Sequence, residues 1–205
     1  MVRAGEALAT VPHGYTILLP PGWIRVSLSQ PLDKAVEDIT DRMFARLQRD
    51  AFPAERRKIE ETVREIVRKA KADNGIDLYL PVEELHGVTV AASFIVGGLF
   101  MQGEVDALAA LTLSGQLAAD GSLADIDGSV GARVERIQAA DAARGEIVDV
   151  ATRHVDYAFP IPNDDRRWLT VTFSTPGGGV PDDQVADALV ELFDAMMSTF
   201  AWKIQ

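Results

Sequence analysis

Three histidines, His13, His86 and His154, are the only imidazoles in this chain of 205 residues, and cysteine is absent. An imidazole can act as a general base or hold a metal, but these three lie far apart and show neither HxxxH nor HxH spacing. His154 and Asp156 stand two residues apart, so a strand would point both to one face. With Ser174 they could complete a Ser/His/Asp set, yet no nucleophile-elbow motif surrounds the serine. No catalytic residue is therefore assigned, and the bland reading of His154 is a satisfied or exposed side chain. The lack of cysteine removes a disulfide scaffold, thiolate metal sites and a thiol nucleophile.

Two further stretches invite ligand chemistry. Gly177-Gly178-Gly179 precedes a helical tract, where backbone amides attract anions. It lacks the Lys-Ser/Thr of a Walker loop, and Asp182 and Asp183 would repel a phosphate there. Asp120, Asp125 and Asp127-Gly128 superficially suggest calcium, but the bidentate glutamate that closes a calcium loop is missing, so turn chemistry is the better account. No cofactor and no metal ligand set is read from the sequence.

Two surfaces could meet a partner. One is the basic face of a helix carrying Arg56, Arg57, Lys58, Arg64, Arg68, Lys69 and Lys71. Interleaved Glu55, Glu60, Glu61 and Glu65 give it the character of a solvated face, with Glu60/Arg64 and Glu65/Lys69 spaced for helix pairs. It is still the best electrostatic docking candidate. The other is Trp168 beside Arg166 and Arg167, because an outward-facing tryptophan flanked by arginines fits interface composition. Nucleic acid is disfavoured: the net charge is −11, with 13 Lys and Arg against 12 Asp and Glu through Leu80 and 7 against 19 from Pro81.

The elements that would position these residues follow from periodicity. Tyr15–Leu19 and Trp23–Leu28 read as strands about the Pro20-Pro21-Gly22 turn. Leu32, Val36, Ile39, Met43 and Leu47 recur at helical spacing, predicting a helix that ends near Asp50. Pro53 opens a second helix with Ile59, Val63, Ile66, Val67 and Ala70 inward, stopped by Asn74-Gly75. Strands are expected at Ile76–Pro81 and at Val88–Val96, the latter ending in a glycine break at Gly97-Gly98. Glu104–Ala119 reads as a helix, and Ser122–Ile137 as a strand pair about Asp127-Gly128. Further strands follow at Ile147–Val150, Arg153–Pro160 and Trp168–Phe173. A last helix starts at Asp182-Asp183 with Val185, Leu189, Leu192, Phe193, Met196 and Phe200 inward, ending at Phe200-Ala201-Trp202.

With 47% hydrophobic and 25% charged residues, the chain can bury one core as a single domain, 1–205, with a helical hairpin at 31–73. No export signal is visible before Gly14, so a cytoplasmic address is expected. The longest apolar run, Val88–Met101, is interrupted and too short to span a bilayer.

The order of these features resembles the PsbP-like fold. The resemblance rests on the leading strand with Pro20-Pro21-Gly22-Trp23, the strand ending Phe173-Ser174-Thr175-Pro176, and the final helix with Leu192-Phe193-Asp194 and an aromatic tail at Trp202. It covers both ends of the chain and little of the middle. That fold includes photosystem extrinsic subunits, a nuclear Ran-binding release factor, actinobacterial lipoproteins and secretion-effector chaperones. The resemblance implies an α+β class, a mainly antiparallel central sheet between helices in an α/β/α sandwich, with the hairpin as an insertion longer than is usual in the family. It also implies binding of proteins rather than catalysis, and it brings no catalytic residues. The expected function is a non-enzymatic protein-binding or adaptor domain, chaperone-like, serving an actinobacterial secretion or envelope system. The alternative is a small-molecule-binding domain or hydrolase with a pocket between hairpin and sheet, and a third reading is a homodimer formed through the hairpin.

Overall fold

The computed structural model describes residues 10–45, 53–84, 90–100, 121–140, 150–164 and 166–204. In chain order these form β1 (Gly14–Thr16), β2 (Trp23–Ser27), α1 (Leu32–Met43), α2 (Pro53–Ala72), β3 (Gly75–Pro81), β4 (Ser93–Phe100), β5 (Ser122–Ile126), β6 (Ser129–Gln138), β7 (Thr152–Pro160), β8 (Arg167–Thr175), α3 (Gln184–Met197) and β9 (Ala201–Lys203). Seven strands make one antiparallel sheet in the order β2-β3-β4-β8-β7-β6-β5, while β1 and β9 pair separately.

Strand alternation decides what each face of the sheet carries. Tyr79, Phe94, Val96, Val155, Tyr157, Phe159, Leu169, Val171 and Phe173 fall on one face by register, and α3 covers them with Leu189, Val190, Phe193, Met196 and Met197. Phe193 is the hub of this layer. Its ring stacks on Phe173 at 4.7 Å, tilts against Phe94 at 5.4 Å and meets Tyr157 edge-on at 5.8 Å. Burying a side chain of this size contributes about 1.5–3 kcal/mol.

The opposite face carries Ile24, Val26, Leu78, Leu80 and Ile95, against which α1 sets Ala35, Val36 and Ile39 and α2 sets Val63, Val67 and Ala70. The result is hairpin, sheet and α3, an α/β/α sandwich. None of the helices among the described residues is long and apolar enough to cross a membrane.

The turn chemistry is local. Gly22 takes φ 82° in the turn closed by the Trp23 amide on the Pro20 carbonyl, and Asn74 stops α2 at φ 59°. Gly75 then passes so close to Ala70 and Leu28 that a Cβ would lie 2.5 Å from the Ala70 carbonyl oxygen. Asp127 and Gly128, at φ 48° and 78°, turn β5 into β6 as the sequence predicts.

A buried polar knot ties β1 to the sheet. The Tyr15 hydroxyl and Arg25 Nη2 both donate to Oδ2 of Asp77, the latter at 2.7 Å, while the Tyr79 hydroxyl donates to that of Tyr15 at 3.3 Å. Asp77 is only 1% exposed, so these donors replace water that it has lost. Tyr15 also stacks on Phe200 at 5.2 Å.

Several boundaries differ from the sequence reading. α1 ends at Met43 rather than near Asp50, with Phe44 as its C-cap. β4 begins at Ser93 and continues through Gly97 and Gly98, so the glycines are no break. Instead, they admit a close neighbour, since a Cβ on Gly97 would lie 3.1 Å from Thr170 Oγ1. α3 ends at Met197, and Ala201–Lys203 turns out of the helical path to pair with Gly14–Thr16. Val185, expected inside, is exposed. The expected helix at 104–119 and most of the expected strand at 147–150 lie outside the described residues, as do His86 and Asp120.

Candidate ligand cavity

The hairpin does not seal against the whole sheet face. α2 covers β2 and β3 closely, and the sheet continues past it through β4, β8 and β7. The space left between holds about 600 Å³. Met43, Ile59, Val63 and Ile66 form its helical wall, and Leu78, Leu80, Ala92 and Pro176 much of the rest. Hydroxyls enter from the sheet at Ser93, Ser174 and Thr152.

Register places these hydroxyls in a row. Ser93 pairs with Ser174 across β4 and β8, Ser174 with His154 across β8 and β7, and His154 with Arg136 across β7 and β6. Thr152 Oγ1 lies 2.8 Å from His154 Nε2, whereas the buried Nδ1 has no hydrogen-bond partner. Burial pulls the His154 pKa down to about 4, and the positive charges of Arg136 and Lys69 act in the same direction. The imidazole is neutral at pH 7.

The Ser/His/Asp set that sequence spacing suggests shares this face but does not form a relay. Among the described residues no hydrogen bond joins Ser174 to His154, and Asp156 accepts from Arg136 Nε at 3.3 Å instead. A triad needs the nucleophile on the base and the base on its carboxylate. The row can bind; it is not arranged to activate a nucleophile.

The expected docking surfaces fare unequally. On α2, Arg56 donates to Glu60 at 2.9 Å, reaches Asp41 at 3.4 Å and lies over the Phe44 ring. Arg64 crosses to Asp33 of α1, and Arg68 pairs with Glu65. The predicted Glu60/Arg64 and Glu65/Lys69 pairs are thus replaced, because α1 offers Arg64 a carboxylate and Glu60 and Glu65 take other arginines. Much of the basic face is compensated internally, and Arg57 and Arg68 remain exposed. Trp168 is not outward-facing: it is 7% exposed. The sheet is buried on both faces there, so alternation alone could not reveal which side met water. Arg166 and Arg167 are exposed, the latter paired with Asp164.

At the start of α3, Asp183 accepts from the Ala186 amide at 2.7 Å and the Gly178 amide at 2.8 Å. The chain's own carboxylate occupies the place a phosphate would need. Asp125 accepts from the Gly128 amide at 2.9 Å, and Asp127 from the Trp202 amide at 2.7 Å, which is turn chemistry as expected.

Sequence reasoning offered a pocket between hairpin and sheet as its alternative but did not find the lining, Ser93 and Thr152 included. The available signal was small hydroxyl residues at strand ends where apolar residues dominate, at Ser93, Thr152 and Ser174. No protein-family model matches the chain, and no curated protein matches it.

Proposed function

We propose that this chain is a non-enzymatic binding domain that holds a small apolar ligand between the α1/α2 hairpin and the sheet. The cavity carries the reading: about 600 Å³, within the roughly 300–1,000 Å³ typical of small-molecule sites, with a largely aliphatic lining, hydroxyls from the sheet at Ser93, Ser174 and Thr152, and one from α2 at Thr62. A neutral fluorescent probe, N-phenyl-1-naphthylamine, should bind saturably to the wild type. Ile66→Trp, which places an indole in the cavity from its partly exposed helical wall, should abolish that binding without lowering the melting temperature. Equal binding by the two proteins removes the reading.

A protein-binding adaptor role is the second reading. One observation favours it: Phe100 is 78% exposed and lies in register with exposed Arg167 at the end of the β4/β8 ladder, a pairing of aromatic and arginine common at interfaces. The resemblance to PsbP-like proteins, whose characterised members mostly bind proteins, supports the same role in an actinobacterial secretion or envelope system.

A further inference from the structure

The charge around the cavity runs against the charge of the chain. In a protein of net charge −11, Lys58 is the one charged side chain among the described residues lining the cavity. Among the described residues it makes no ion pair. Arg136 and Lys69 add positive potential beside His154, at the edge of the same hydroxyl row. Arg136 shares its charge with Asp156. No carboxylate lines the cavity among the described residues.

The hydroxyls have donors to give. Neither Ser93 nor Ser174 uses its side chain in a hydrogen bond among the described residues, although the two face each other across β4 and β8. Such a pair would lose water on ligand binding and so needs an acceptor in return. A carboxylate supplies two acceptor oxygens, and hydrogen bonds to an ionised acceptor are the stronger kind. An alcohol supplies one weaker acceptor, and an amine would add a cation beside Lys58. The aliphatic walls on α2 and β3 then call for a hydrocarbon body.

We infer that the cavity takes an aliphatic carboxylate, with its chain against α2 and its head at the Ser93/Ser174 hydroxyls within the field of Lys58. This deepens the binding reading above and rests on it. The two are separable, because the hydrocarbon body depends on the cavity and the head preference on the hydroxyls and Lys58.

The test is displacement of N-phenyl-1-naphthylamine by decanoate, 1-decanol and decylamine, three probes of one chain length, below their micelle concentrations. Decanoate should bind about tenfold or more tightly than the other two, as expected for a charge-assisted hydrogen bond. Ser174→Ala and Lys58→Gln should each narrow that preference without changing decanol binding. Lys58 is on the surface of α2, so its variant stays informative should Ser174→Ala fail to fold. Equal binding of decanoate and decanol, or a preference for decylamine, overturns the carboxylate while leaving a ligand cavity. A decanoate preference untouched in a folded Lys58→Gln or Ser174→Ala variant overturns the placement of the head. No displacement by any of the three, with probe binding also insensitive to Ile66→Trp, overturns both the inference and the reading beneath it.

Discussion

Replacing His154 with glutamine should flatten the acid limb of the stability curve. Burial, helped by Arg136 and Lys69, lowers the His154 pKa from an ordinary 6.5 to about 4 in the folded chain. The folded state therefore favours the neutral ring, and the unfolded state takes up the proton first as pH falls. The stability due to this difference is complete above pH 6.5 and is lost as pH falls toward about 4. Linkage with these two values gives a loss of about 2 kcal/mol between pH 7.5 and pH 5, and about 3 kcal/mol when both states are protonated. For a chain of this length 2 kcal/mol corresponds to about 4–8 °C in melting temperature.

Two carboxylates held by strong hydrogen bonds lie outside that window. Asp183, held low by the Ala186 amide, titrates below the usual carboxylate range. So does Glu135, whose burial alone would raise it but whose hydrogen bonds from Arg153 and Arg133 outweigh that. Their losses belong to more acidic solutions. Urea unfolding, followed by tryptophan fluorescence at pH 7.5, 6.5, 5.5 and 5.0, reports the effect through buried Trp23 and Trp168. The difference in unfolding free energy between wild type and His154→Gln should shrink by about 2 kcal/mol from pH 7.5 to 5.0. Parallel curves for the two proteins would show that the ring is not held neutral, and the account of the hydroxyl row would fall with it.

Two further outcomes are expected. Tyr15→Phe removes a donor from buried Asp77 and should cost about 1–3 kcal/mol in urea at pH 7. Burial first, then the neighbouring Tyr79 and Asp77, pushes Tyr15 ionisation above its ordinary 10.0, so the stability it confers is full below pH 10 and is lost as pH rises beyond. The variant should accordingly show a shallower alkaline decline, and an unchanged decline would assign it to other tyrosines. For the adaptor reading, a protein captured by the wild type should be released by reversing Arg166 and Arg167 to glutamate and retained by Ile66→Trp. Retention after charge reversal would remove that surface from consideration.

The sequence made legible those elements whose signals are local. The stripe of α2, the Asn74-Gly75 stop, the Asp127-Gly128 turn and the Leu169, Val171, Phe173 alternation all appear where periodicity and turn chemistry place them. What remained hidden depends on partners distant in the chain. Arg64 looks paired with Glu60 until α1 brings Asp33 beside it, and Trp168 looks free until both faces of the sheet are covered. Ser93, Ser174, His154 and Arg136 become one row only through the registers of four strands, and no local pattern encodes a register spanning some eighty residues of chain. The hairpin-to-sheet pocket could be guessed as a place; its lining could not.

The pairing of Gly14–Thr16 with Ala201–Lys203 also closes a very long loop of chain. Among the described strands β1 has no ladder partner other than β9, so its pairing waits until residues 201–203 have been made. Phe200, which Tyr15 and Phe159 both contact, arrives equally late. Closing so long a loop is slow and has little to reward it before its final contacts form. The β1/β9 ladder therefore belongs to the late contacts of folding, and it latches Thr16 against a partner 185 positions away.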